Sequence, residues 1–143
     1  MAEAHYRKLE RMYHDSPIGD TIHAELTVDD RAATVEVPVE ERYHHALGAA
    51  HGAVIFKALD DAAFFAANSI VEDVFVLTTD FSLYFQRPVS AGVIRAEGEL
   101  LNDNPEQLIA QAVARDDDGN ELARGSGTFR KSSVELTPDI GYE

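Results

Sequence analysis

Hydrophobic and polar positions change period along the first third of the chain. Apolar residues at helical spacing predict a short amphipathic helix over about residues 4–16, ended by Pro17. Apolar and polar residues then alternate over residues 22–28 and 33–37, on either side of an Asp-Asp turn. This period of two predicts the two strands of a hairpin, which Pro38 closes.

The remainder of the chain contains one long apolar segment followed by strand patterns. Residues 50–70 are apolar on nearly every side, which predicts a long buried helix. Short polar turns then separate four predicted strands, at residues 75–86, 93–101, 108–115 and 121–131, and residues 132–143 are predicted to form a frayed tail. The pattern predicts an α+β fold in which a curved antiparallel meander wraps one long helix, rather than a parallel βαβ arrangement.

The composition limits the classes of protein and of partner. The 143 residues suit one domain, taken as residues 1–143, and a net charge of −14 argues against nucleic acid as a partner. No apolar run has the length of a membrane span, no basic and apolar leader opens the chain, and there is no cysteine. We therefore expect a cytoplasmic protein without disulfides. The six histidines lack metal-ligand spacing, so no metal site is expected.

Two adjacent aspartates interrupt the long apolar helix. At about 100° per residue, Asp61 lies near a polar edge, where Lys57 precedes it by four residues. Asp60 instead shares its face with apolar residues: Ala53, Phe56, Ala63, Phe64 and Ala67. A carboxylate in such surroundings loses hydration and tends to have a raised pKa, which makes Asp60 the first candidate for chemistry. The alternative is that Asp60 only accepts a hydrogen bond from a backbone group across a subunit contact.

The start of the same helix has the features of an oxyanion site. Small residues surround His51 in the run Gly-Ala-Ala-His-Gly at residues 48–52, and the first N–H groups of a helix have no intrahelical acceptor. Gly52 would let a ligand approach its N–H closely, although a tight turn into the helix explains the glycines equally well. His51 and Asp60 are nine residues apart, which is about 13 Å along the axis and half a turn around it. A site that uses both helix positions therefore predicts two chains, and a homodimer with sites at the interface.

Several short motifs occur together in the order Gly48-x-x-His51-Gly52, Asp60, Ala66-x-Asn68-Ser69, Phe85-x-Arg87-Pro88 and Gly92. In this order and spacing they resemble the hotdog-fold acyl-CoA thioesterases of the phenylacetate-degradation (PaaI-like) group, over about residues 45–129. The resemblance implies the hotdog fold, a long helix wrapped by an antiparallel sheet. It also implies that protomers pair their sheets and that the protein forms a homodimer or homotetramer.

The resemblance implies a role for each residue that matches a family motif. It makes Asp60 the catalytic carboxylate, acting as general base on water or as nucleophile at the thioester carbonyl. It makes the Gly52 N–H the group that polarises this carbonyl, and Thr78 the hydroxyl that positions the water. No cofactor is implied. The further residues expected to bind substrate are Gly48, His51, Phe56, Phe64, Ser69 and Arg87.

One position departs from the family pattern. Six residues before the motif histidine, the family has an asparagine or glutamine that orients the carbonyl or the water, and this chain has His45. A neutral imidazole can still donate one hydrogen bond, but its charge varies near neutral pH. We therefore keep His45 in the predicted catalytic set, as a residue that shifts the pH profile or marks altered activity.

The predicted function is hydrolysis of an aromatic or medium-chain acyl-CoA. Candidate cations for the CoA phosphates are Arg87, Arg95, Arg124 and Arg130. The alternative is a non-catalytic protein that binds acyl thioesters, for which His45 is the best support. A hotdog dehydratase or hydratase is a third class, but the Pro-rich and Asp-x-Asn-Pro motifs of those enzymes are absent near residues 44–51.

Overall fold

The computed structural model describes residues 2–143, as two helices and one six-stranded antiparallel sheet. The helices are α1 (Ala2–Asp15) and α2 (Gly52–Asn68). The strands are β1 (Glu25–Asp29), β2 (Ala32–Pro38), β3 (Val74–Phe85), β4 (Val93–Asn102), β5 (Leu108–Arg115) and β6 (Glu121–Glu135). Short 3-10 turns lie at Pro17–Asp20, Glu41–Tyr43 and Pro138–Ile140. The predicted α+β class, a long helix against a curved antiparallel sheet, is confirmed.

Helix α2 lies directly against one face of the sheet, and small residues allow this close approach. Ala58, Ala62 and Ala63 are fully buried where α2 contacts the sheet. On β4, a Cβ added at Gly98 would lie 2.3 Å from the carbonyl oxygen of Ala62. Any larger residue at position 98 would therefore push the helix away from the strand, since the obstacle is backbone rather than a flexible side chain.

The strand order differs from the predicted meander. The order in the sheet is β1-β2-β4-β5-β6-β3, so β3 pairs with β6 at one edge and not with β4. The glycines of β6 make this pairing specific, because the Phe81 ring of β3 lies over them. A Cβ added at Gly125 or Gly127 would lie 2.7 or 2.6 Å from an atom of that ring. Alternation along each strand predicts its two faces but not its neighbours, which is why the sequence did not reveal the order.

The C-terminal residues are ordered, and the prediction of a frayed tail from residue 132 is wrong. Strand β6 continues to Glu135, and the residues after it return to α1. His5 on α1 is buried, with its Nδ1 2.7 Å from the Tyr142 hydroxyl and its Nε2 2.9 Å from the carbonyl oxygen of Asn68. Helix α1 is therefore held between the end of α2 and the end of the chain. Among the described residues, no helix is both long and apolar enough to span a membrane.

Candidate active site

The Asp60 side chain lies on the wall of a cavity of about 660 Å³ between α1, α2, β3 and the C-terminal segment. The Thr78 hydroxyl of β3 donates a hydrogen bond to Asp60 Oδ1, at 2.9 Å. Asp60 Oδ2 has no hydrogen-bond partner among the described residues. Most of the cavity wall is apolar, and its lining includes Met12, Ile18, Phe64, Phe65, Phe75, Leu77, Val134 and Ile140. The structure thus brings together three residues of the predicted site: Asp60, Thr78 and Phe64.

Two local features aim Thr78 at Asp60. The Asn68 side chain, at the end of α2, accepts a hydrogen bond from the Val76 N–H and donates one to the carbonyl oxygen of Val71. This ties the start of β3 to the helix that carries Asp60. The register of β3 against β6 then shifts between Thr78 and Asp80, which marks a β-bulge. Bulges re-aim side chains, and here the bulge follows directly after the residue that hydrogen-bonds Asp60.

Burial raises the pKa of the Asp60 carboxyl from its usual value to about 6. The hydrogen bond from Thr78 acts in the opposite direction, because it stabilises the charged form. Among the charged neighbours, the Asp61 carboxylate raises the pKa of Asp60 and the Lys57 ammonium lowers it. A carboxyl with a pKa of about 6 is mostly ionised at neutral pH, and it is a stronger base than an ordinary aspartate.

The raised pKa makes Asp60 a source of instability at neutral and alkaline pH. Its pKa is higher in the folded protein than in the unfolded chain, so the stability of the fold falls as the pH rises from about 4 to about 6. We expect Asp60→Asn to raise the free energy of unfolding at pH 8 by about 1–2 kcal/mol, after a discount for the partial exposure of the carboxyl, and to have little effect at pH 4.5. Urea unfolding at both pH values measures this.

The neighbouring aspartate is the matched control for this stability measurement. Asp61→Asn should destabilise the protein at pH 8, because it leaves the Lys57 ammonium without its carboxylate. If both variants raised the free energy of unfolding at pH 8, or if neither did, the conclusion that the ionised Asp60 carboxylate destabilises the fold would be contradicted.

Asp61 differs from Asp60 because its Oδ2 takes part in both an ion pair and a hydrogen bond within the chain. Lys57 forms the predicted ion pair with it, and the Tyr13 hydroxyl of α1 donates a hydrogen bond to Asp61 Oδ2, at 2.7 Å. The Tyr13 ring in turn meets Phe65 of α2 edge-on, with 5.4 Å between ring centroids. Asp61 therefore joins α1 to α2, and it has a structural explanation that Asp60 lacks.

At the start of α2, His51 caps the helix and leaves the first N–H of the helix without an acceptor among the described residues. The Nδ1 of His51 accepts a hydrogen bond from the Ala53 N–H, at 2.9 Å. The N–H of Gly52, the first helical residue, has no acceptor among the described residues. The Phe85 ring covers Gly52, since an added Cβ would lie 3.0 Å from Phe85 Cζ. The combination of a free N–H and a residue without a side chain matches the predicted carbonyl-polarising position.

His45 and Gly48 lie in the turn that precedes this helix start. The His45 ring is 6.5 Å from the His51 ring, between centroids, and its Nδ1 accepts a hydrogen bond from the Leu47 N–H. Its Nε2 is therefore the nitrogen that carries a proton in the neutral ring. Gly48 has a φ of 82°, in the left-handed region that favours glycine, and it donates its N–H to the His45 carbonyl oxygen. Gly48 is explained by the turn, while the His45 ring lies next to the His51 ring that caps the helix.

The structure separates the predicted residues into distant groups. Gly52 and Asp60 are eight residues apart on one helix, or about 12 Å along its axis. Phe56 packs edge-on against Phe81, with 38% of its surface exposed, and does not line the cavity. Arg87 is exposed on the loop after β3.

Ser69 is buried at the far end of α2. Its hydroxyl donates to the Ala66 carbonyl oxygen and accepts from the Arg31 N–H. The structure does not bring Ser69 to either group.

Several residues of the cavity wall were not identified from the sequence. They come from α1 and the turn after it, and from the C-terminal segment: Met12, Tyr13, Ser16, Ile18, Val134 and Ile140. The amphipathic pattern of α1 predicted a buried face but not its partner, and the C-terminal residues were assigned to a tail. Tyr13 carried the one usable signal, a hydroxyl on the apolar face of a helix. No cluster of three or more histidine, aspartate or glutamate side chains that could hold a metal ion occurs in residues 2–143.

Comparison with solved structures identifies the fold. The structure is similar to the PaaI protein of Escherichia coli from the phenylacetic acid degradation operon, with a TM-score of 0.85, 15% identity, and coverage of 95% of this chain and 99% of that one. It is also similar to a mutant thioesterase from Pseudomonas aeruginosa, with a TM-score of 0.79, 18% identity and coverage of 90% and 94%. These likenesses confirm the predicted hotdog fold.

Sequence comparison extends this result beyond the fold. A candidate esterase from Saccharolobus solfataricus is 24% identical over 104 residues, which are 73% of this chain and 74% of that protein. The model of the thioesterase superfamily matches residues 47–123, a segment that contains all of α2 together with β3, β4 and β5. Since this match covers more than half of the chain, the protein belongs to the thioesterase superfamily.

Proposed function

We propose that this protein hydrolyses acyl-CoA thioesters with aromatic or medium-chain acyl groups, and that Asp60 is the catalytic carboxylate. One observation carries the proposal: a half-buried carboxylate, oriented by Thr78, faces a largely apolar cavity of about 660 Å³. An apolar acyl chain or ring suits the walls of this cavity, and the thioester carbonyl would lie beside the carboxylate. Membership of the thioesterase superfamily supports the same reaction class.

The proposed chemistry uses the two oxygens of Asp60 differently. Oδ1 accepts the hydrogen bond from Thr78, which leaves Oδ2 to take a proton from water as the water oxygen attacks the thioester carbon. The carbonyl oxygen becomes an oxyanion, which a helix N–H stabilises. Collapse of this intermediate breaks the carbon–sulfur bond, and the departing thiolate takes the proton that Asp60 removed from water, so the acid and the CoA thiol are released and Asp60 is again ionised. In the variant route Asp60 attacks the carbon itself, and water then hydrolyses the resulting anhydride.

The helix N–H of this reaction is proposed to come from Gly52 of a second protomer. Within one chain Gly52 and Asp60 are too far apart to act on the same carbonyl group. Strand β3 has twelve residues and pairs on one side only, and Leu77, Tyr84 and Phe85 on it are 51–60% exposed. A long unpaired edge of this kind is a template for another strand. We propose that two protomers pair through β3, in a homodimer or homotetramer.

Arg87 is the proposed contact for the CoA phosphates. Of the four arginines considered, Arg124 is held by Glu121 through two hydrogen bonds of 2.8 Å, and Arg95 is paired with Glu36. Neither Arg87 nor Arg130 forms a salt bridge with a carboxylate of residues 2–143. Arg87 is preferred because it lies close to the helix start, since the carbonyl oxygen of Val89, two residues later, accepts the Ala50 N–H. An unpaired guanidinium near Gly52 suits a phosphate of the nucleotide.

An acyl-CoA hydrolysis screen tests the proposal. The purified protein is assayed for release of free CoA thiol from phenylacetyl-, benzoyl- and straight-chain C6 to C12 acyl-CoA, with para-nitrophenyl esters as an oxygen-ester comparison. We expect hydrolysis of one or more aromatic or medium-chain thioesters, and faster hydrolysis of these than of the oxygen esters. Asp60→Asn is assayed in parallel and should be inactive on each substrate that the wild type cleaves.

The same screen distinguishes hydrolysis from the second candidate function, which is non-catalytic binding of acyl thioesters. His45 favours this alternative, because a histidine stands where the resembling enzymes have an amide side chain. The binding proposal would replace the enzymatic one under two conditions. The wild type and Asp60→Asn would both cleave none of the substrates, and the wild type would bind a non-hydrolysable acyl-CoA thioether saturably.

A further inference from the structure

We propose that Tyr13, Lys57 and Asp61 form a charge cluster that sets the ionisation of Asp60, so that helix α1 acts as a positioning element for the catalytic carboxylate. The inference rests on the proposed function, because it takes Asp60 as the catalytic carboxylate. The three residues of the cluster themselves take no part in the proposed reaction. We call these three residues the α1–α2 cluster.

The α1–α2 cluster is a closed set of mutual contacts. Lys57 donates to Asp61 and, at 3.2 Å, to the Tyr13 hydroxyl, which itself donates to Asp61 Oδ2. The Lys57 ammonium also lies 4.9 Å from the centroid of the Tyr13 ring. The side chains of Lys57 and Asp61 are only 14% and 16% exposed, so their charges are weakly screened by water. Tyr13 thus holds an ion pair of α2 in place from a different helix.

The cluster lies next to Asp60 both along the helix and in the cavity. Lys57 precedes Asp60 by one helical turn and Asp61 follows it directly, and all four side chains line the same cavity. The other elements that face Asp60 bring no charge: β3 contributes Phe75, Leu77 and Thr78, and the C-terminal segment contributes Val134 and Ile140. Among the described residues, the only titratable side chains that line the cavity besides Asp60 are therefore those of the α1–α2 cluster.

The two charges of the cluster act on Asp60 in opposite directions. Asp61 raises the pKa of Asp60 and Lys57 lowers it, because a like charge disfavours the carboxylate and an opposite charge favours it. While the ion pair is intact, Asp60 is exposed to both charges at once. Loss of either partner would leave the other uncompensated beside the catalytic carboxylate. Tyr13 contributes from α1 by fixing the positions of these two charges through its contacts with Asp61 and Lys57.

The test is a pH titration of the Asp60 carboxyl carbon by NMR in protein labelled with ¹³C-aspartate, with Asp60→Asn used to assign the signal. We expect Lys57→Met to raise the pKa of Asp60 and Asp61→Asn to lower it, each by about 0.5–1 pH unit. The double variant Lys57→Met/Asp61→Asn removes both charges and should return the value to within about 0.3 pH unit of wild type. Tyr13→Phe should give a smaller displacement than either single charge variant. Where the enzyme is active, the acid limb of the kcat/KM profile should move with the NMR value.

An exposed ion pair elsewhere provides the matched controls. Arg31 Nη1 lies 3.1 Å from Asp103 Oδ2, and both side chains are at least 50% exposed. Arg31→Met and Asp103→Asn make the same charge changes in the turns after β1 and β4, which do not line the cavity. Each should move the pKa of Asp60 by less than about 0.2 pH unit. Displacements of the same sign in the two cluster variants, or displacements no larger than those of the controls, would overturn the inference.

The NMR readout separates this inference from the proposed function. The titration needs no turnover, so opposite displacements in a protein that cleaves no thioester would support the electrostatic coupling and reject only the enzymatic role. Conversely, the wild type could be active and Asp60→Asn inactive while the cluster variants leave the pKa of Asp60 unchanged. This result would support the proposed function and reject the electrostatic coupling. If Lys57→Met does not fold, the double variant and Asp61→Asn together still decide, because they differ only in the Lys57 charge.

Discussion

Replacing Asp60 with asparagine is expected to lower kcat/KM for acyl-CoA hydrolysis by about 10²–10⁴-fold at pH 8. Asparagine has nearly the same shape and can still accept the hydrogen bond from Thr78, so the cavity and the fold should persist. What it lacks is a basic oxygen that can take a proton from water or attack the thioester carbon. Initial rates on the best substrate of the screen, together with circular dichroism of both proteins, measure the effect.

The adjacent aspartate is again the control. Asp61→Asn removes the same charge one residue along the helix, but Asp61 is engaged with Lys57 and Tyr13. We expect it to lower kcat/KM by less than about tenfold at pH 8, where Asp60 is ionised in either protein. A large loss for Asp61→Asn with a small one for Asp60→Asn would reverse the assignment of the catalytic carboxylate.

Replacing Gly52 with proline is expected to lower kcat/KM by about 10²–10³-fold, the usual result of removing one donor to an oxyanion. Proline has no N–H, yet it is well tolerated at the first position of a helix. The preceding residue, His51, already has the extended conformation that a following proline requires, with φ −60° and ψ 141°. The substitution therefore removes the donor while α2 remains intact.

Gly52→Ala is the matched variant, since it keeps the N–H. Both substitutions place a Cβ 3.0 Å from the Phe85 ring, whose exposed end can move. A loss of less than about tenfold for alanine with a loss of about 10²-fold or more for proline would identify the N–H as the functional group. Equal losses would mean that the space beside Phe85, and not the donor, matters.

The same variants test whether one site is built from two chains. Asp60→Asn and Gly52→Pro subunits, each inactive alone, are mixed by unfolding and refolding together. In a dimer with shared sites, half of the randomly paired dimers contain one chain of each kind, and each of these has one intact site. The mixture should therefore recover about a quarter of the wild-type activity. No recovery above the separate variants would place the whole site within a single chain.

The two aspartates show how far helical phase can be used without a structure. Residue spacing alone placed Asp61 beside Lys57 and Asp60 among apolar residues, and the structure agrees on the ion pair. Residue spacing also predicted a raised pKa for Asp60, because apolar neighbours cannot replace the hydration of a carboxylate. In the structure, burial raises this pKa. The same spacing located His51 and Gly52 at the start of the helix. Relations within one helix follow from a single repeating geometry, which is why these expectations could be made from residue numbers.

Relations between elements could not be obtained in this way. The position of β3 beside β6, the return of the C-terminal residues to α1, and the contact of Tyr13 with Asp61 join residues that are 38 to 137 positions apart. They depend on shapes that only the folded chain presents, such as the glycines of β6 that receive the Phe81 ring. The Ala66-x-Asn68-Ser69 motif illustrates the difference, because Ser69 was expected at the substrate and instead caps the far end of α2.

By itself, the sequence determined the fold class, the long buried helix and the two chemically distinct positions on it, Asp60 and Gly52. These follow from local periodicity and from the cost of placing a carboxylate among apolar side chains. Only the tertiary structure decided what surrounds Asp60: the hydrogen bond from Thr78 to one oxygen, the apolar cavity, and Tyr13, which joins α1 to the Lys57–Asp61 pair. The physical reason is that packing and electrostatics act through space, between segments whose separation along the chain carries no information about their distance.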